Sequence, residues 1–188
     1  NYLMFYYLNV QPNTKEEGEL RYYLYQLSGL VHRQQYDAIN PENIKKKEGE
    51  KKEIELLKEN IKNNKAFQNL HLQKQNHLLE TTPSKLMGWE KLIESSHLKT
   101  DLFIKTWKLY SNYAHSEMIG SIQIRDCIQK PDELKRTLSG TGEQSILLTC
   151  VTIKDLTSRF QTTNTYYKSR PVSLTTKIDM WCSVALKK

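Results

Sequence analysis

The sequence has few of the residues from which common cofactor and metal sites are built. None of its seven glycines stands in the order of a phosphate-binding loop. The three cysteines, Cys127, Cys150 and Cys182, are odd in number and far apart, so they fit neither a metal site nor a redox pair. Each lies in an apolar stretch typical of a small core residue. His71 and His77 lack zinc-ligand spacing. We therefore expect no small-molecule cofactor and no metal.

Long apolar runs are also missing. No stretch reaches the length of a membrane span. Residues 1–10 are apolar and aromatic, but they are too short and lack the layout of a signal peptide. The cysteine content fits a reducing compartment, so the expectation is a cytoplasmic protein without a membrane partner. The chain opens at Asn1 in the middle of an apolar pattern, so we expect that a first helix has been cut away.

Positive charge is present in moderate excess. Twenty-eight Lys and Arg face 21 Asp and Glu, which gives a net charge of +7 and an isoelectric point near 9.2. This balance favours acidic partners such as RNA, DNA or anionic lipid. The densest basic run, residues 45–52, is interleaved with glutamates, which is typical of a solvated helix face. An RNA partner and a charge that only maintains solubility both remain open.

Apolar residues recur every three to four positions along most of the chain, which is typical of amphipathic helices. No alternating run of strand length stands out, although residues 144–153 hold several β-branched side chains. The sequence predicts an all-α fold, an irregular bundle of about six to seven helices. The predicted helices cover residues 16–36, 41–64, 85–95, 100–129, 145–167 and 174–186.

The helix boundaries are marked by proline, asparagine and glycine. Asn40 and Pro41 are typical of an N-cap and a first helical residue. They open the long charged helix 41–64, whose Lys- and Glu-rich first half we expect to project into solvent. The Asn- and Gln-rich residues 60–76 predict a loop with short helical turns.

Pro131 is expected to end the helix before it, and the Ser-Gly-Thr-Gly sequence within 138–142 predicts a flexible turn. The predicted organisation is a helical core over residues 1–130 and a C-terminal helical pair, 131–188, that packs on it. Tryptophan and tyrosine side chains are expected mainly in the core, because a base-stacking platform needs exposure that the periodicity does not indicate.

One cluster of residues could carry chemistry. On a helix, Lys108, Ser111 and His115 fall on one face, because they are three, four and seven positions apart. His115 could act as a general acid or base, Lys108 could offer charge to a phosphate, and Ser111 or Asn112 could position groups. The alternative is that His115, which borders an apolar stripe, is a packed and hydrogen-bonded core residue.

Four segments resemble a bacterial helical family of unknown function whose members carry a Ser-x-x-x-His helix. The segments are Tyr2–Leu8, Glu19–Arg21, Leu27–Leu30 and Tyr110–Glu117. That family is in turn similar to the broad HEPN-like group, and the resemblance covers residues 1–129. In the family a basic and an acidic residue lie in the first helix, the part that we expect this chain to lack before Asn1.

The resemblance also implies an activity. Many HEPN-like proteins are ribonucleases of toxin–antitoxin or phage-defence systems that use an Arg four to six residues before a His. His115 matches the histidine, whereas Lys108, Leu109 and Tyr110 stand around the arginine position. Lys108 supplies charge but not the planar, bidentate guanidinium.

Two functions are consistent with these residues. The favoured one is a non-catalytic or weakly catalytic helical module of a bacterial defence or toxin–antitoxin type system, which interacts with protein or RNA. The alternative is a HEPN-like, metal-independent endoribonuclease in which two copies pair their helices and His115 cleaves RNA with help from Lys108, Ser111 and Asn112. Both allow a homodimer.

Overall fold

The chain is helical throughout the part that the computed structural model describes. That part comprises residues 1–114 and 118–187, with the backbone alone at 112–114, 118–121, 123 and 124. Within it the chain forms eleven α-helices and one π-helical segment, Tyr6–Val10. Its only strand-like feature is one isolated antiparallel bridge between Leu98 and Leu186. The all-α prediction is confirmed, and the predicted number of six to seven helices is wrong.

The larger number of helices has a simple cause. Several helices are only four to ten residues long, and one or two turns are too short to show an apolar period. The helices are α1 (Tyr2–Phe5), α2 (Lys15–Gln34), α3 (Pro41–Asn63), α4 (Lys65–Gln68), α5 (Leu72–Thr81), α6 (Trp89–Ser95), α7 (Thr100–Ala114), α8 (Met118–Gln129), α9 (Pro131–Arg159), α10 (Gln161–Lys168) and α11 (Val172–Ala185).

The chain divides into two compact units. The N-terminal unit is Met4–Gly88, and the C-terminal unit joins Asn1–Leu3 to Trp89–Lys188. The division into domains 1–130 and 131–188 stays a prediction. None of the helices in the described residues is both long and apolar enough to cross a membrane.

Side-chain caps fix the helix starts of the N-terminal unit. Thr14 accepts a hydrogen bond from the Glu17 amide, and Asn40 accepts one from the Asn43 amide with Pro41 in the first turn, as predicted. α2 packs against α3 and α4. The core consists of buried apolar residues from these and neighbouring helices: Leu20, Leu24, Leu27, Leu30, Ile54, Leu57, Ile61, Phe67 and Leu78.

A buried arginine joins the start of the N-terminal unit to α2. Arg21 is 4% exposed, donates from Nη1 to the Tyr7 carbonyl and to Gln11 Oε1, both at 2.7 Å, and pairs with Glu17. Its guanidinium carbon lies 4.4 Å from the centre of the Tyr7 ring. The Tyr7 hydroxyl in turn accepts a bond from the Leu86 amide at 2.9 Å. Burial raises the pKa of Tyr7, so this hydroxyl stays protonated.

The charged half of α3 is only partly free in solvent. The buried Glu50 accepts from Arg33 at 3.1 Å and from Gln34 at 3.1 Å, and Lys47 donates to the Gln34 and Tyr36 carbonyls. These contacts hold the end of α2. The expectation that the first half of α3 projects into solvent is therefore wrong at Lys47 and Glu50.

The aromatic side chains are less buried than expected. Tyr2, Tyr6 and Tyr7 lie in the interior, but Tyr22 is 50% exposed, Tyr25 44% and Tyr36 61%. The exposure of these tyrosines was not predicted from the sequence. They lie on or beside α2, which also carries the apolar stripe that faces the core, and the spacing alone does not show which side of a helix is buried.

In the C-terminal unit, α9 packs against α8, α10 and α11. Pro131 opens α9 rather than only ending the helix before it, because proline fits the first helical position, where an amide has no intrahelical partner. The residues predicted as a turn, 138–142, lie inside α9, so that prediction is wrong. Gly140 and Gly142 have no positive φ.

We predict that Gly140→Ala and Gly142→Ala each raise the free energy of unfolding by about 0.5–1 kcal/mol, because alanine is the better helix former in an interior position. A Cβ at either position meets nothing within 4 Å. Chemical denaturation of the two single variants and their combination measures the effect. Destabilisation by both would mean that this segment is a turn after all.

Candidate functional site

Two of the side chains that the sequence singles out, those of Lys108 and Ser111, lie on α7. Lys108 Nζ is 2.8 Å from Glu90 Oε1 of α6, and both side chains are more than half exposed. Ser111 is half-buried. The ammonium of Lys108 therefore has a carboxylate partner at the surface. That carboxylate compensates the positive charge that the sequence predicted would act on a phosphate.

The rest of the predicted cluster lies outside the described part of the chain. This holds for His115 as a whole and for the side chain of Asn112. Lys108 and Ser111 share one face of α7 by their three-residue spacing. The assembly of these residues with His115, and its role as acid or base, stay predictions.

An open groove of about 690 Å³ lies between α7, α8 and α9. We call it the α9 groove. It is lined by Leu109 and Tyr110 of α7, Asp126 and Cys127 of α8, and Arg136 and Gln144 of α9, among others. Lys108 and Ser111 do not line it, because they occupy the α7 face away from Thr106 and Tyr110.

Hydroxyl contacts join the walls of the α9 groove. Tyr110 Oη donates to Thr141 Oγ1 at 3.2 Å, and Thr141 Oγ1 donates to the Thr137 carbonyl at 2.9 Å. Cys127 Sγ lies 3.4 Å from Thr137 Oγ1. Each neighbouring helix thus has a polar link to one short stretch of α9.

The charges in the groove are mixed. Asp126 pairs with Arg125 at 3.0 Å, and Glu133 pairs with Lys130 at 3.2 Å. Arg136 donates from Nε to the Asp132 carbonyl at 3.4 Å. Although the whole chain is basic, the described residues that line the groove include two carboxylates and one guanidinium.

Gln144 provides the strongest indication that the groove is a binding site. Its Oε1 atom is buried and has no hydrogen-bond partner. An unsatisfied buried acceptor costs about 1–3 kcal/mol. Because the atom is covered, the Gln144 amide would have to turn toward the groove to accept a hydrogen bond from a donor there. That bond would remove the cost, so Gln144 is a candidate binding residue.

Sequence reasoning missed this groove because its walls come from three helices and share no motif. The one available signal is a run of small and polar residues on α9, Thr137, Gly140, Thr141 and Gln144, spaced at three and four. A stripe of this kind marks a helix face that an apolar core does not fill. The presence of two glycines favoured a turn instead.

A second polar cluster surrounds Asp155 of α9. Tyr2 Oη donates to Asp155 Oδ2 at 3.0 Å, and His97 Nε2 lies 3.9 Å from Asp155 Oδ1. Asp155 is 8% exposed. Burial raises the pKa of this carboxyl, while Tyr2, His97 and Arg159 act in the opposite direction.

The last residues of the C-terminal unit bind beside the same cluster. Lys187 donates its amide to the His97 carbonyl at 2.7 Å, and its ammonium donates to the Glu94 and Ser96 carbonyls. With Tyr2 on Asp155, residues from the beginning and the end of the chain converge on this region. The contacts therefore fasten both chain ends into the C-terminal unit.

The cysteines differ from one another. Cys150 and Cys182 are buried, as predicted, but Cys127 is only half-buried and lines the α9 groove. Burial raises the pKa of Cys150, and it raises that of Cys182 to about 11. Among the described residues, no group of three or more His, Cys, Asp or Glu side chains could hold a metal ion.

No family model, curated protein or solved structure matches this chain. The likeness to the bacterial helical family and to the HEPN-like group therefore stays a prediction from the quoted segments. Function is inferred from the grooves, charges and buried polar groups of the chain itself.

We predict that Asp155→Asn is more stable than the wild type at neutral pH. Burial raises the pKa of Asp155 in the folded protein above its value in the unfolded chain. The wild type therefore loses stability as the pH rises from the pKa of the unfolded chain to that of the folded protein, because the buried carboxyl must then ionise. The asparagine oxygen still accepts from Tyr2 but carries no charge. The gain in melting temperature should grow between about pH 4 and about pH 7. A variant less stable at neutral pH would mean that the His97 pairing outweighs burial.

We also predict that iodoacetamide modifies Cys127 well before the other two cysteines in the folded protein. Cys150 and Cys182 are shielded, and their raised pKa values keep them as thiols, which react more slowly than thiolates. Mass spectrometry of peptides after timed alkylation measures each rate. Equal rates in the native state, matching those in denaturant, would contradict the burial of α9 against α11.

Proposed function

We propose that the chain is a non-catalytic helical module that binds a segment of a partner protein in the α9 groove. The observation that carries this proposal is the buried, unpaired Gln144 acceptor in an open groove. A groove of about 690 Å³ accommodates a few side chains of an inserted segment.

The walls of the groove favour a protein segment. Leu109 is 43% exposed and Tyr110 is half-buried, and both line the groove, so an apolar contact surface is available. Tyrosine and arginine, here Tyr110 and Arg136, are enriched where proteins bind one another. The matching segment would carry an apolar side chain and, beside it, an amide, hydroxyl or guanidinium donor for Gln144 Oε1.

The charges oppose RNA at this place. Binding of a nucleic acid backbone depends on cations that neutralise phosphates. Among the described lining residues only Arg136 is cationic, and the neighbouring cations of Arg125 and Lys130 are already paired with Asp126 and Glu133. The densest basic run of the sequence, residues 45–52, lies outside the groove and alternates with glutamates.

The ribonuclease alternative has less support. Lys108, which would stabilise a developing phosphate charge, forms an ion pair with Glu90. Neither Lys108 nor Ser111 lines the α9 groove. The catalytic role of His115, and a place in a defence or toxin–antitoxin system, remain hypotheses from the family resemblance.

A matched pair of glycines tests the proposal. Gly140 lines the groove and Gly142 does not, although both lie in α9 and neither Cβ would meet an atom within 4 Å. Peptides are selected from a random library on the wild-type protein, and their affinities are measured by fluorescence polarisation. We expect Gly140→Trp to weaken them at least about tenfold and Gly142→Trp to leave them within about twofold.

Two further readouts separate the outcomes. A bound peptide should slow alkylation of Cys127, which lines the groove. A single-stranded RNA is titrated in parallel. Failure to select any peptide sensitive to Gly140→Trp, or RNA binding that Gly140→Trp abolishes, would overturn the proposal.

A further inference from the structure

The outer face of α2 carries an exposed stripe of residues that take no part in the hydrophobic core. We call it the α2 stripe. Seven residues on one side of α2 and its end make it up: Tyr22, Tyr25, Gln26, Gly29, His32, Arg33 and Tyr36. The buried residues of α2, such as Leu24 and Leu27, lie on the other side. Tyr22 and Tyr25 on the helix and Tyr36 just past its end are large exposed side chains, and together they mark an interaction surface.

The stripe is symmetric about Gly29. Tyr22 and Tyr36 are seven residues before and after it, and Tyr25 and Arg33 are four residues before and after it. Gln26 and His32 complete the pattern at three residues on either side. An antiparallel helix with the same sequence would therefore place complementary groups opposite one another.

We propose that two copies of this chain pair through their α2 stripes, antiparallel, with the two-fold axis at Gly29. An isologous contact uses the same patch on both copies, so the patch must complement itself. Tyr25 then faces Arg33 of the second copy, an arrangement that permits a cation–π contact. Tyr22 faces Tyr36 of the second copy, an aromatic pair.

Gly29 permits the close approach that such pairing needs. A Cβ at this position would meet nothing within 4 Å, so the helix surface is open there. Beside it lies a concave surface lined by Tyr25, Gly29, Arg33 and Glu53, among others, with a volume of about 550 Å³. A tyrosine of the second copy can enter this space between the helices.

The side chains of the stripe are already oriented. Tyr22 Oη and Gln26 Nε2 are 3.2 Å apart, and Tyr36 Oη lies 3.0 Å from His32 Nε2 with the two rings edge to face. Arg33 is held by Glu50 at 3.1 Å while more than half of its side chain stays exposed. Ordering these side chains on association therefore costs less conformational entropy.

The charges favour a second copy over a nucleic acid. The N-terminal unit has thirteen Lys and Arg against eleven Asp and Glu. Arg33, the one formal charge within the stripe, already pairs with Glu50, and Glu53 adds a carboxylate to the adjoining concave surface. Phosphate binding needs a cationic excess that this surface lacks.

The first experiment measures dimerisation of the full chain by sedimentation equilibrium. From Tyr22 to Tyr36 the stripe is about 21 Å long at about 1.5 Å per residue, so we expect a weak, concentration-dependent dimer. Gly29→Leu should weaken it at least about tenfold. Gly49→Leu is the matched control, because Gly49 is also an exposed helical glycine with open space around it. Circular dichroism checks that both variants remain folded.

The second experiment tests the register. At a two-fold axis through Gly29, cysteines introduced in both copies lie opposite each other within disulfide reach. In a Cys127→Ser background, mild oxidation should cross-link the two copies of Gly29→Cys and leave Gly49→Cys without a cross-link. This pair tests only the α2 stripe, so its result is separate from that of the groove experiments.

Three results would overturn the proposal. One is a protein that stays monomeric at every concentration reached. Another is a dimer that Gly29→Leu leaves unchanged. The third is a monomer whose tyrosine fluorescence is quenched by single-stranded RNA in a manner that Tyr25→Ser abolishes, which would assign the stripe to nucleic acid.

Discussion

The constraint on which this fold depends is the pairing of a few buried polar side chains. Hydrophobic residues make up 38% of the sequence, and several polar side chains are buried beside the apolar core. Arg21, Glu50, Asn64 and Asp155 are all less than 9% exposed. Buried polar groups destabilise a fold unless each finds a partner. Most of these groups bind a different element of the chain, so satisfying them also fixes the path of the backbone.

Both polar atoms of the buried Asn64 side chain have a hydrogen-bond partner. Its side-chain oxygen accepts from the Phe67 amide and caps α4, and its side-chain nitrogen donates to the Glu16 carbonyl at 2.9 Å. The residue therefore ends α3, begins α4 and binds the start of α2. A loop with short turns was expected there, and the cap is what makes the first of those turns regular.

The unpaired atom of Gln144 stands apart from the other buried polar groups. Glu50 and Asp155 are held by two neighbours each, and Arg21 uses both terminal nitrogens even though its Nε has no partner. The unsatisfied nitrogen of Arg21 lies in the interior, where a ligand cannot reach it. The unsatisfied oxygen belongs to a residue that lines a groove. Only the second belongs to a side chain that can turn toward a partner in the groove.

The sequence predicted those parts of the fold that depend on local rules. Helices α2, α3 and α11 were anticipated within two residues at each end, because an apolar period, the Asn40 cap and Pro41 act over one or two turns. Gly140 and Gly142 misled the prediction, since glycine is compatible with a turn and with a helix, and the residues on both sides continue α9 through them. Neither the α9 groove nor the Asp155 cluster was foreseen, because each brings together residues far apart in the chain.

The exposed sides of α2 and α3 differ in the residues that they carry, and this difference indicates which of them is a binding surface. The exposed side of α3 carries lysine and glutamate, which interact well with water and avoid association. The exposed side of α2 carries Tyr22 and Tyr25 and, near its end, one charge at Arg33, although both helices bury the same kind of apolar stripe. Solubility alone does not call for tyrosine at these positions. The difference between two neighbouring helices with the same core role is therefore the strongest reason to regard the α2 stripe as a binding surface.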